Sequence, residues 1–231
     1  VTASKIDYIK AFNIEYENTD NLNAHTLLQK HGEIYIVQNK PSRRMTTAEL
    51  DYVYGLPYEK TYHPIYKNGV PAILEVEFSV NSHRGCYGNC SFCAITYHQG
   101  RAVQRRSKES ILEEVEKLTH KPNFKGYIHD IGGPSANFFE PACDKQQKYG
   151  VCKNRQCIGC DKCPNLKVSH KNYLDVLTCA RKIPNVKKVF IRSGIRFDYI
   201  LYDNDKSFFE ELCKHHISGQ LKIAPHLQQC A

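Results

Sequence analysis

Three cysteines within eight residues constrain this chain more than anything else in it. Cys86, Cys90 and Cys93 stand in Arg84-Gly85-Cys86-Tyr87-Gly88-Asn89-Cys90-Ser91-Phe92-Cys93, a C-x3-C-x2-C loop. Such a loop has to turn tightly to bring three sulfurs together, and Gly85 and Gly88 give its backbone that freedom. Three thiolates can hold three irons of a [4Fe–4S] cube, a group that takes four cysteines when its coordination is complete. The fourth iron is then open to an outside ligand. The competing reading is a zinc ion or buried structural thiols. Structural zinc is usually held by C-x2-C units with a second pair further along the chain. Here the first step is three residues, which favours the cluster.

The 231 residues are 41% hydrophobic and 24% charged, enough for one sizeable core and an appendage. No apolar run reaches membrane-spanning length, so no membrane partner is expected. Val1-Thr2-Ala3-Ser4-Lys5 is polar and no secretory signal opens the sequence. Eleven cysteines, an odd number, then point to metal or cluster ligation in a reducing cytoplasm rather than to a closed disulfide framework. The net charge of +8 fits nucleic acid, a nucleotide cofactor or simply a solvated basic surface. Met45 is the only methionine, and Leu221-Lys222-Ile223-Ala224-Pro225-His226 reads as a strand running into a loop. The sequence is therefore expected to be a piece of a longer chain.

Two regions are predicted. Residues 1–70 form an N-terminal accessory region that packs on the remainder of the chain. In it Ala24 to Gly32 reads as the end of a helix, Glu33 to Gln38 as a strand, and Thr46 to Tyr54 as a short helix that Thr47 could cap. From residue 71 to 231, strands alternate with helices. Ile73–Val80 is strand one and the cysteine loop comes directly after it. Ser107–Leu118 is helix one, with Ser110 and Glu113 as a capping box, and Gly126–Ile131 is strand two. Lys171–Lys182 is helix two, with Tyr173, Leu177 and Ala180 facing inward. Lys187–Arg192 is strand three, Ser207–His216 helix three, opened by Ser207, and Leu221–Ala224 strand four. Repeated strand–helix units imply an α/β fold with a parallel sheet. Four units are too few for a closed eight-stranded barrel and suit a truncated, partial (β/α) TIM-like barrel, whose chemistry sits at the C-terminal ends of its strands. Three loops lie there: Cys86–Cys93, Gly132–Gly133 and Ser193–Arg196.

The string Phe78 to Ile95, with Gly100-Arg101, Ile131-Gly132-Gly133-Pro134-Ser135-Ala136-Asn137 and Phe190-Ile191-Arg192-Ser193-Gly194-Ile195-Arg196-Phe197-Asp198, resembles the YgiQ family of radical S-adenosylmethionine (SAM) proteins. Pro57-Tyr58 and the segment before it resemble that family's N-terminal region. The resemblance implies a fold of the radical SAM type. It also implies an enzyme whose [4Fe–4S] cluster, on Cys86, Cys90 and Cys93, reductively cleaves SAM to a 5′-deoxyadenosyl radical. By position it places Phe92 beside the adenine, and Gly132 and Gly133 at the SAM amino group. Ser193 and Arg196 are candidates for the ribose hydroxyls and carboxylate. Pro134 stands where an acidic residue is usual, so any acceptor there is a backbone carbonyl. A reductant such as flavodoxin or ferredoxin is an implied partner; no substrate is implied.

A second group, Cys143, Cys152, Cys157, Cys160 and Cys163, lies in an insertion at about residues 137–168. Such density fits a metal that organises a segment too polar to build its own core. Zinc and an auxiliary iron–sulfur cluster are both open, and which thiol is spare cannot be read. Cys179, Cys213 and Cys230 stand alone, and Cys179 and Cys213 read as small core residues. Arg101, Arg105, Arg106 and Lys108 read as a solvated approach to helix one, and His215-His216 as a complement to a helix dipole. Asp198, Asp203 and Asp205 show no magnesium-binding pattern. The functions that compete with radical chemistry are an iron–sulfur electron carrier without SAM and a zinc-dependent nucleic-acid module.

Overall fold

A computed structural model describes residues 4–90, 92–159 and 161–221. Ser4 accepts a hydrogen bond from the Asp7 amide and caps α1 (Lys5–Glu17). The chain then forms a hairpin, β1 (Leu27–His31) against β2 (Ile34–Gln38). The helix end expected before Gly32 is thus a strand. Gly32 has positive φ, which suits a helix C-terminus and the first position of a two-residue hairpin loop equally. The strand after it decides between them by pairing. Helix α2 (Thr47–Gly55) carries a full capping box between Thr46 and Glu49, so the cap is Thr46 and not Thr47.

The core region opens differently from its expectation. Ile73–Val76 is a short helix, α3, and only Ser79–Asn81 is strand, β3. The alternation from Leu74 onward has no neighbouring backbone to pair with, because β3 lies against just three residues of its partner. Residues 73–77 satisfy their amides locally instead, as in the 2.8 Å bond from Glu77 N to Ile73 O. Next along the chain are β4 (His83–Arg84), α4 (Ile95–Gln99), β5 (Gln104–Arg105) and α5 (Lys108–Thr119). Ser107 caps α5 by accepting from Ser110 N, in place of the expected Ser110–Glu113 box.

The expected second strand is broken at His129 into β6 (Tyr127–Ile128) and β7 (Asp130–Gly132). After α6 (Asp144–Tyr149) and α7 (Lys171–Ala180) comes β8 (Lys188–Val189). Segment 127–132 pairs in parallel on both sides, β7 with β3 and β6 with β8. Three parallel strands thus run in chain order. Among the described residues the sheets are small and no closed barrel forms. The last elements are α8 (Phe197–Tyr202) and α9 (Ser207–Glu211), which widens into a π turn at Leu212–His216. Lys206 precedes α9 without a side-chain cap bond, so Ser207 opens the helix but does not cap it. The fourth strand, apart from Leu221, and Cys230 lie outside the described residues.

Helices α5 and α7 cover the strands. Ile111, Val115 and Leu118 of the first, and Tyr173, Val176, Leu177 and Ala180 of the second, bury with Val80, Ile128, Ile131 and Val189. Each large aliphatic side chain so buried contributes about 1.5–3 kcal/mol of transfer free energy. Residues before 71 make contacts with the remainder of the chain. Asp20, buried, accepts from Val151 N at 2.9 Å and pairs with Arg44. Asp51 accepts from Ser107 N at 3.0 Å, and Lys60 meets Glu114 at 2.5 Å.

Candidate metal centre

The cysteine loop leaves the C-terminal end of β3 through two special backbone positions. Gly85 has φ +83°, and a Cβ there would collide with the Ala102 carbonyl. Asn89 has φ +51°, in the left-handed region that asparagine tolerates better than most residues. Its side chain donates to the Tyr16 hydroxyl of α1, and its carbonyl accepts from Gln156 Nε2 at 3.4 Å. The N-terminal region and the cysteine-rich insertion therefore meet on one residue between two of the loop cysteines. Beneath the loop, Tyr87 is buried and stacked on Phe138, with ring centroids 4.0 Å apart.

The sulfurs face donors. Cys86 Sγ lies 3.7 Å from Ser135 Oγ, and the Gly88 amide also reaches it. Arg196 Nη1 donates to Cys90 Sγ at 3.5 Å. Burial pushes both thiols up from their ordinary pKa, against the pull of these donors. The Cys93 charge acts on Cys86, and those of Cys86 and Cys93 act on Cys90. Gly88 keeps the space beside Cys86 open, since a Cβ there would stand 2.7 Å from Arg196 Nη1 and 3.4 Å from Cys86 Sγ. Among the described residues no three Cys, His, Asp or Glu side chains are gathered to hold a single metal ion. A cubane makes a different demand, taking each thiolate on a different iron. Soft thiols, flanked by N–H and O–H donors and a space kept free by glycine, fit that group.

The three expected loops do converge. Gly132 abuts Ser193, whose Oγ would be 2.5 Å from a Cβ on the glycine, and a Cβ on Gly133 would meet the buried His83 ring at 2.6 Å. Ala136 N donates to Gly194 O at 3.0 Å. The Gly132 carbonyl is already engaged: Ser82 N and Oγ donate to it at 2.8 and 3.1 Å. Ser193 gives its hydroxyl proton to Asp130, which also accepts from the amides of Arg192 and Ser193. Phe92 is 77% exposed. Arg196, expected at a SAM hydroxyl or carboxylate, is 1% exposed and spans Asp198 and Cys90.

Residues 1–79 match the family described as Radical SAM N-terminal. A UPF0313 protein of Clostridium botulinum (strain Okra / Type B1) is 58% identical over 97% of this chain and 35% of its own length. For a UPF0313 protein of Clostridium perfringens (strain ATCC 13124) the identity is 55%, over 97% and 34%. The chain is a radical SAM family sequence of the UPF0313 type. It spans about a third of the length of these curated relatives.

In this radical SAM chain the four described cysteines of the second group lie near enough to act on one another's charge at Cys157. The charges of Cys143, Cys163 and Cys152 all act on Cys157, whose thiol burial pushes up to about 12. Cys163 N donates to Cys157 O at 3.0 Å, closing a small hairpin bridged between Ile158 and Lys162. Arg101 ties Cys152 and Arg155 by their carbonyls at 3.0 and 3.2 Å. Cys160 lies outside the described residues.

Several expectations are corrected. Arg101 and Arg106 are buried rather than solvated. Arg106 pairs with Glu114 at 2.5 Å and lies over the Tyr54 ring. His216 is fully buried, with Nδ1 2.7 Å from Val189 O. Cys213 is exposed and Cys179 only part-buried, so neither is a core residue. Asp130, Ser135, Asn137 and His170 carry no site expectation from sequence, as each gains its meaning from a residue far along the chain. No described helix is long and apolar enough to cross a membrane.

Proposed function

We propose that this chain carries the cofactor-binding part of a radical SAM enzyme, in the opening strands of a partial barrel. The observation that carries the proposal is the meeting of the three-cysteine loop with the loops after β7 and β8. Cys86, Cys90 and Cys93 would hold a [4Fe–4S] cluster. When bound, that cluster supplies the electron that cleaves the SAM sulfonium. The chain's own residues prepare for it. Gly88 N–H, Ser135 and Arg196 pull Cys86 and Cys90 toward thiolate, against a burial that raises both thiols, and so ease the displacement of their protons that metal binding requires. Gly133, with the Gly132 carbonyl engaged by Ser82, is the better acceptor for the SAM ammonium. Ser193, its proton directed to Asp130, presents lone pairs suited to a ribose hydroxyl. Phe92 remains the candidate for the adenine face. The four described cysteines of the insertion, not gathered around one point as they stand, would have to draw together to hold a second, thiolate-loving metal. A flavodoxin- or ferredoxin-like reductant and a cytoplasmic setting complete the proposal.

The test uses protein of the relatives' full length, reconstituted anaerobically with iron and sulfide and reduced with SAM present. Methionine and 5′-deoxyadenosine are the expected products, and Cys90→Ala abolishes both. A cluster whose spectrum is unmoved by SAM, with no cleavage, would identify an electron carrier instead.

A further inference from the structure

Arg196 stands at the end of a buried relay. Behind it, Asp203 Oδ2 accepts from His170 Nδ1 at 2.6 Å, and His170 Nε2 accepts from Asn137 Nδ2 at 3.2 Å. The same Asn137 amide donates to Arg196 O at 2.9 Å, and its Oδ1 accepts from Arg196 N at 2.9 Å. Asn137 thus uses all of its geometry to hold one residue's backbone on both sides. His170 is itself clamped, stacked on Phe208 with centroids 4.4 Å apart. Beyond the backbone, the guanidinium is held by Asp198, which accepts from Nε at 3.0 Å and from Nη2. The Phe138 ring lies under it, 5.5 Å from its centre. What is left, Nη1, points at Cys90 Sγ through the gap kept by Gly88.

A cation this deeply buried and this rigidly aimed is more than a surface ion pair. We propose that Arg196 is a positioning residue for the iron–sulfur cluster: its charge and hydrogen bond at the Cys90 sulfur raise the cluster's reduction potential, and Asp198 lowers it. This rests on the cluster reading above. Adding one electron makes the centre more negative, so a nearby positive group stabilises the reduced form, and hydrogen bonds to ligand sulfurs act in the same direction. Burial leaves little water to screen Arg196, while Asp198 is part-exposed and screened more. Arg196 is the nearer of the two, so the pair does not cancel at the sulfur. The electron comes from a reductant, and no bond forms or breaks in this step.

The experiment is EPR-monitored potentiometry of the anaerobically reconstituted full-length protein, with dithionite as reductant and iron and sulfide counted per chain. For Arg196→Gln the ratio of reduced to oxidised cluster at fixed potential should fall about tenfold, a downward shift of about 59 mV for one electron. For Asp198→Asn it should rise by several-fold, a shift upward. A merely structural role would move both variants the same way or move neither, and either result overturns the proposal. If Arg196→Gln loads no cluster, Asp198→Asn decides alone: an upward shift supports the proposal and an unmoved potential overturns it. Absence of a cluster from the unsubstituted protein overturns the cluster reading and this proposal together.

Discussion

A methyl group on residue 88 would fall between Arg196 Nη1 and Cys86 Sγ, at 2.7 and 3.4 Å. Neither neighbour can retreat easily, because Arg196 is fixed by Asp198 and Asn137. Gly88→Ala should therefore cost about 1–3 kcal/mol in urea unfolding and lower the iron bound after reconstitution. Gly55→Ala is the control, since a Cβ there meets nothing within 4 Å. His83 gives a second prediction at this scale. Burial holds its pKa down to about 4, from 6.5. The unfolded chain then takes up a proton between those values and the folded chain does not. Stability is intact above pH 6.5 and falls as pH drops toward 4, by roughly 3 kcal/mol in all. His170 and His216, also lowered by burial, act in the same direction. Denaturation midpoints at pH 7 and 4.5 should differ markedly less in His83→Gln than in the unsubstituted protein. An equal difference in both would show that His83 is not the acid-sensitive group.

Helix α5 shows how an element can be right in outline and misread in its charges. The spacing of Ile111, Leu112, Val115 and Leu118 makes one apolar stripe, legible because helical spacing is a local property. The burial of Arg106 was not, because it depends on α2 laying Tyr54 over it and on Glu114 two turns along. Arg106→Met leaves Glu114 buried with only Lys60 opposite and should cost about 3–5 kcal/mol. Arg106→Met combined with Glu114→Gln should recover much of that loss in the same unfolding assay. No recovery would show that Arg106 acts through packing rather than charge. The strands carry the reverse lesson. Alternation from Leu74 to Val80 was visible in the sequence, yet a strand needs a partner as well as a pattern, and β7 offers only three residues.

On the scale of the whole molecule, the cysteine loop was readable because its spacing lies within eight residues. Its supports were not, for Ser135, Gln156 and Arg196 reach it from far along the chain. The convergence of three strand ends was foreseen from the order of strands and helices; the hand-off from Asp203 to Cys90 was not. The insertion thiols add a prediction that only the whole protein can answer. Metal analysis of anaerobically purified full-length protein should find about four irons per chain for one cluster, or about eight for two. Four irons with one zinc would assign zinc to the insertion, and zinc alone would overturn the radical SAM reading.

The clasp on Asn89 also sets an order in time. Tyr16 is already made when the cysteine loop leaves the ribosome, but Gln156 lies 67 residues beyond Asn89, and Arg196 lies 106 beyond Cys90. At about 5–20 residues per second, those partners arrive roughly 3–13 and 5–21 seconds later. For that interval the thiols of each newborn chain stand without their cover. If these cysteines take up a cluster, iron delivery and oxidative damage would then compete for the same three sulfurs.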